Sequence, residues 1–238
     1  LSTLSHLIMR QATRGQDSTR YPAGISGLNA TVEIDFLDIS GERGPLFFRG
    51  GSTILRDSVV EIPITGDGIN IKGGYAETHR TTFTGNNSVD TDAIDYDGVV
   101  DGVIKDCRIY LFQGFNSDGI DTGEECRNVL IEGNTIFFSS DKGISVGQGS
   151  TVVMKNNLIV GCQMGVGVKD EGSFILIDQN TFVDCLEGVA VYEKNFGKGG
   201  GVARITNTIF SRCEVPLRAD GYSYLETSYS LSDTTLLD

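Results

Sequence analysis

A repeat constrains this chain more than any other feature. Eight short segments recur roughly every 22–26 residues: "AGIS" at residue 23, "GPLFF" at 44, "DGINI" at 67, "DAIDY" at 92, "DGIDT" at 118, "KGISV" at 142, "MGVGV" at 164 and "EGVAV" at 187. Each sets a small residue before an aliphatic one, which gives the column Ile25, Leu46, Ile69, Ile94, Ile120, Ile144, Val166 and Val189. In an extended chain successive side chains alternate between faces, so this column turns to one side and its neighbours to the other.

Other columns keep the same period. Asn134, Asn157, Asn180 and Asn207 stand near the end of each repeat, preceded by the strand-like runs "NVLIE", "TVVMK", "SFILI" and "VARIT". Cys162, Cys185 and Cys213 follow a little further on. Three short strands separated by turns, with no helical period, predict an all-β, single-stranded right-handed parallel β-helix of about eight coils. Stacked Asn side chains would satisfy the backbone groups that the turns orphan, and the cysteines would form a buried column of free thiols. No internal boundary or linker interrupts the pattern, so residues 1–238 read as one β-helix domain. The ends, which begin and stop inside the repeat, suggest a piece of a longer chain.

Composition removes several classes of function. No run of 18 apolar residues exists to span a membrane as a helix, and a 39% hydrophobic, 21% charged chain is not a disordered one. A formal net charge of −13 repels phosphate backbones, which makes nucleic acid a poor partner. The same charge would repel an acidic polysaccharide unless a cation or a local basic patch received it. Five cysteines without paired spacing argue against a disulfide framework. His6 and His79 belong to no cluster of metal-ligating residues.

The acidic residues are not scattered. Two positions before the aliphatic column stand Asp67, Asp92 and Asp118, and then Lys142; one position after it stand Asn70, Asp95, Asp121 and Ser145. Asp92, Asp95, Asp118 and Asp121 thus share one face of two successive coils, with Asp97 and Asp141 nearby. Three readings follow. Converging hard oxygens suit Ca2+, with those four aspartates as ligands. A carboxyl pair suits the acid and base of a glycosidase. A solvated acidic edge of turn aspartates is the third.

"NSDGID" at 116–121 followed by "SSDKGISVGQGS" at 139–150 resembles the signature of pectin-degrading β-helix enzymes. In polygalacturonases the pattern is Asn-Thr-Asp-Gly-x-Asp, then an Asp-Asp pair, a Gly-His-Gly and an Arg-x-Lys. The resemblance maps Asp118 and Asp141 to catalytic acids, while Lys142 replaces the second Asp of the pair, and "GCQMGVG" and "VYEKN" stand where the later motifs would be. More broadly the chain is similar to secreted right-handed β-helix proteins that include pectate and alginate lyases and mannuronan epimerases. That resemblance implies an extracellular protein acting on a uronic-acid polysaccharide. In it, Ca2+ held by the aspartates neutralises the uronate carboxylate, and Lys142 or Lys169, depressed in pKa, removes the C5 proton. A non-catalytic glycan-binding or spacer module is the alternative, and a hydrolase using Asp118 and Asp141 the third. With no Trp in the chain, Phe47, Tyr96, Phe115 and Tyr192 are the aromatics available to stack on sugars.

Overall fold

The computed structural model describes residues 1–12, 22–41, 43–62 and 64–233. They form 24 strands joined by parallel ladders, and no helix occurs among the described residues. The chain winds through three sheets in turn. The sheet that carries the aliphatic column has nine rungs: Ile25–Gly41, Leu46–Arg56, Ile69–His79, Ile94–Val99, Ile120–Gly123, Lys142–Val146, Met164–Lys169, Glu187–Tyr192 and Val215–Ala219. These are called rungs 1 to 9 below; the first three continue round the corner into the second sheet.

The register confirms the column. Ile69 pairs with Ile94, Ile94 with Ile120, Ile120 with Ile144, Ile144 with Val166 and Val166 with Val189. All six are fully buried. The second sheet stacks Ile104, Ile131, Met154, Ile177 and Ile205, and the third stacks Phe83, Ile109, Ile136, Ile159, Phe182 and Phe210. Each side chain sealed this way contributes about 1.5–3 kcal/mol relative to exposure. The sequence suggested eight coils. The ninth rung, Val215–Ala219, carries the Pro-Leu pair also seen at Pro45-Leu46, and its Leu217 pairs with Val189.

The asparagine ladder exists and is shorter than expected. Asn134 N and Nδ2 donate to Asn157 Oδ1 at 2.8 and 3.0 Å, and Asn157 N and Nδ2 donate to Asn180 Oδ1 at 2.8 and 2.9 Å. Asn207 is not in it. Ile209 pairs with Thr181, so Thr208 continues the ladder, and Asn207 takes the preceding position. That position is left-handed in every coil, with φ of 56° at Asp106, 69° at Gly133, 54° at Asn156, 59° at Gln179 and 50° at Asn207. Asn tolerates such a φ better than most residues. Cys162, Cys185 and Cys213 are buried, like Cys107 and Cys126, and none of the five is in a disulfide.

Candidate functional site

The outer surface of the first sheet holds three parallel columns of side chains. The first lies two residues before the buried aliphatics. There each carboxylate caps the backbone of the next coil: Asp92 N donates to Asp67 Oδ1 (3.1 Å), Asp118 N to Asp92 Oδ1 (2.6 Å) and Lys142 N to Asp118 Oδ1 (2.8 Å). The aspartates thus do at one corner what the asparagines do at another. Lys142 ends the ladder and supplies the missing charge, its Nζ lying 3.4 Å from Asp118 Oδ1 and bonded to Asp141 Oδ2.

The second column lies one residue after the aliphatics and contains Phe47, Asn70, Asp95, Asp121 and Ser145, paired rung to rung. Asn70 Nδ2 donates to Asp67 Oδ2 at 2.9 Å and also to Asp95 Oδ2. Three buried oxygens of this column, Asn70 Oδ1, Asp121 Oδ1 and Ser145 Oγ, have no hydrogen-bond partner. The third column lies three residues after the aliphatics: Arg49, Lys72, Asp97 and Gly123 on rungs 2–5, then Gly147, Lys169 and Tyr192. Lys72 is ion-paired with Asp97, and Lys169 Nζ stands 3.7 Å from Asp121 Oδ1.

Two glycines let the lysine stems lie flat against the sheet. A Cβ at Gly167 would sit 2.7 Å from Lys142 Cδ, and one at Gly147 would sit 2.8 Å from Lys169 Cε. Lys169 and Tyr192 are direct neighbours in register. The Tyr192 ring lies 5.2 Å beneath the Arg218 guanidinium, which is held by Glu187 through bonds of 2.7 and 2.8 Å. Between the columns runs a cleft of about 310 Å3, lined by the aspartates, Gln148, Lys169 and Lys194.

Burial and mutual repulsion govern the titration of the cleft. Burial pushes the Asp92 carboxyl well above its usual range, and the charges of Asp118 and Asp67 push it further. Burial, with the charges of Asp67, Asp97 and Asp121, raises Asp95 to about 9. Asp118 reaches about 6 because burial outweighs the pull of Lys142. Asp95 therefore keeps its proton at neutral pH, Asp92 is shifted in the same direction, and the cleft is less negative than its count of carboxyls.

The expected site residues are brought together, with corrections. Lys142 is neither a solvated partner nor a lysine of depressed pKa. Burial opposes its charge, but Asp118 and Asp141 together hold its proton more tightly than usual. Asp118 is 5% exposed and tied to Lys142, which leaves little of a free carboxyl pair with Asp141. Tyr96 is fully buried and bonded to Thr78 Oγ1, so it belongs to the core and stacks on no sugar. Asp92, Asp95, Asp118 and Asp121 are neighbours, but inner oxygens of Asp92 and Asp118 are committed to backbone amides and Asp95 to Asn70. Among the described residues no three His, Cys, Asp or Glu side chains converge as a metal-binding set. The donor set therefore does not fit a preformed calcium cage. Sequence reasoning missed Lys72, Lys194 and Arg218, and took Tyr192 only as a stacking ring; its fixed distance from Val189, the same as that of Lys169 from Val166, was the available signal.

Residues 23–197 match the family model described as a right handed beta helix region. An alginate lyase from Paenibacillus sp. str. FPU-7 superposes with a TM-score of 0.76 at 13% identity, covering 98% of this chain and 88% of the lyase. A polygalacturonase from Erwinia carotovora ssp. carotovora superposes with a TM-score of 0.55 at 11% identity, covering 89% of this chain and 73% of that one. At these identities the likeness is one of fold. Comparison with curated proteins gives no match.

Proposed function

The chain belongs to the right-handed β-helix family, and on that footing we propose that it binds an acidic polysaccharide along the outer columns of the first sheet and cleaves it by elimination. The observation that carries this reading is the pairing of Lys169 with Tyr192 at the cationic end of the cleft. Elimination at a uronate needs a positive charge on the carboxylate, a base for the C5 proton and an acid for the departing oxygen. Lys194 lines the cleft without an ion pair among the described residues and meets the carboxylate. Lys169 Nζ takes the C5 proton. Tyr192, whose phenol burial holds above its ordinary pKa, keeps its proton and gives it to the leaving oxygen. Lys142 and Arg218, each neutralised by carboxylates, take no part in the proton transfers. A secreted location accords with such a substrate.

Calcium is the competing source of neutralising charge, and Asp95 and Asp121 are the ligands it would use. No step above is routed through it. The test is a panel of alginate, polygalacturonate and neutral glycans, read by near-ultraviolet absorbance of unsaturated product and by reducing ends. Product that survives chelation and is lost in Lys169→Met and Tyr192→Phe supports the proposal. Loss on chelation assigns the charge to calcium. Reducing ends without the chromophore point to hydrolysis, and binding without product leaves a glycan-binding module. Absence of binding to every uronan would sink the reading.

A further inference from the structure

The columns that carry Tyr192 and Arg218 run on, past the acidic rungs, to an unassigned feature at the opposite end of the sheet. There Phe47, in the same column as Arg218, lies 5.6 Å beneath the Arg49 guanidinium, in the same column as Tyr192. Each end of the strip therefore carries an arginine over an aromatic ring. Arg49 over the ring and Arg43 in the cavity beside it form no ion pair among the described residues, although the chain is strongly acidic and Arg218 is locked by Glu187. Phe47, Leu46, Pro22 and Ala23 floor a cavity of about 340 Å3, with Arg43 and Asn70 on its walls. Asn70 Oδ1, one of the buried oxygens without a donor, belongs to that wall. The cavity shares Gly66 and Asp67 with the acidic cleft, so the two are continuous.

We propose that Phe47, Arg43, Arg49 and Asn70 form a second, remote subsite that grips a uronate residue of the same polysaccharide chain. The chemistry matches part for part. A sugar packs against the partly exposed Phe47 ring, its carboxylate is received by an unpaired guanidinium, and a hydroxyl is met by the Asn70 amide, whose Oδ1 lacks a donor. Phe47 and Tyr192 stand on rungs 2 and 8, six ladder spacings or about 29 Å apart. Only an extended chain of several sugars reaches both ends. This inference rests on the proposed polysaccharide function and adds where the chain is held and how long it must be.

The test is binding of galacturonate, mannuronate and guluronate oligomers, as trimers and as chains long enough to span six rungs. It is run in a Tyr192→Phe background, which keeps a ring beneath Arg218 and stops turnover. Arg49→Gln and Phe47→Ala are each expected to weaken long-chain binding by about tenfold, with trimer binding unchanged, and Phe47→Tyr to restore it. Melting temperatures of the variants exclude unfolding as the cause. Equal losses for long and short chains, or unchanged long-chain affinity in Arg49→Gln with the parent binding normally, overturn the subsite alone. A parent that binds no uronan of any length overturns both this subsite and the function on which it rests.

Discussion

Asp95 offers the sharpest test of the electrostatics, because its carboxyl sits at about 9 in the folded protein against an ordinary value of 3.8. Across that window the native state holds a proton that the unfolded chain has lost. Stability therefore falls as pH rises from about 4 and stops falling near 9, the reverse of an ion-paired aspartate. Each pH unit costs about 1.36 kcal/mol, so by pH 7 the ceiling is about 4 kcal/mol. Asp95 is only half-buried, and solvent screening brings the expected figure to about 2 kcal/mol. Asp95→Asn removes the titration while keeping an oxygen that accepts from Asn70 Nδ2, the bond the parent makes. For a chain of this size the gain corresponds to a rise in Tm of about 4–8 °C at neutral pH. Thermal melts of parent and variant near pH 4, 7 and 9 should show curves that coincide in acid and diverge in base. A constant difference at every pH, or a variant that melts lower near pH 9, would refute the assignment of a proton to this cleft.

Three further outcomes follow from the same geometry. Lys142→Met leaves Asp118 buried without its counter-charge and is expected to cost about 3–5 kcal/mol by urea denaturation, much of which Asp118→Asn in the same chain should recover. Asn157→Ala removes a side chain that donates to Ile131 O, Lys155 O and Asn180 Oδ1, and should cost about 3 kcal/mol or more, seen as a lower urea midpoint at unchanged slope. Gly147→Ala drives a methyl into the Lys169 stem, so kcat on a uronan should fall several-fold while the melting temperature moves little; unchanged kcat would release Lys169 from the reaction.

How much of this was legible in the chain depended on whether a feature repeats. The fold rested on columns, and stacked columns survive in a single sequence because every coil places the same residue type at the same point. Ile120 needed only its neighbours Ile94 and Ile144 to be placed. Leu217 follows a proline and is followed by Arg218 and Ala219 where the two preceding rungs continue with apolar pairs, and so rung 9 went unseen. Asn207 was misplaced by one residue because an Asn suits both the ladder and the left-handed position before it. Tyr96 looked like Tyr192 in the sequence and lies on the opposite face, a difference of one residue in a period of two. Side-chain reach was not legible at all. Nothing in "DKGIS" says that Lys142 folds back on Asp118 and Asp141, since that depends on Gly167, one coil further along.

The acidic column poses a sharper problem than its position. Capping the amides of Asp92, Asp118 and Lys142 explains why an oxygen stands at residues 67, 92 and 118, but an asparagine oxygen serves equally well, as residues 134, 157 and 180 show. Asparagine would avoid both the desolvation of a carboxylate and the repulsion between rungs. Lys142 accounts for the charge of Asp118, because a buried ammonium needs a partner. Lys72 does the same for Asp97. Asp92 and Asp95 form no ion pair among the described residues, although Lys72 draws weakly on Asp95, and the fold alone gives no reason for acid over amide. A carboxyl that keeps its proton differs from an amide in one respect: that proton can leave when a positive charge arrives. Under the proposed function, that strip between two arginine-and-aromatic ends meets a polyanion with its protons kept and a cation with its protons released. The choice of aspartate there is thus a choice of ligand, made at the expense of stability that Asp95→Asn should return.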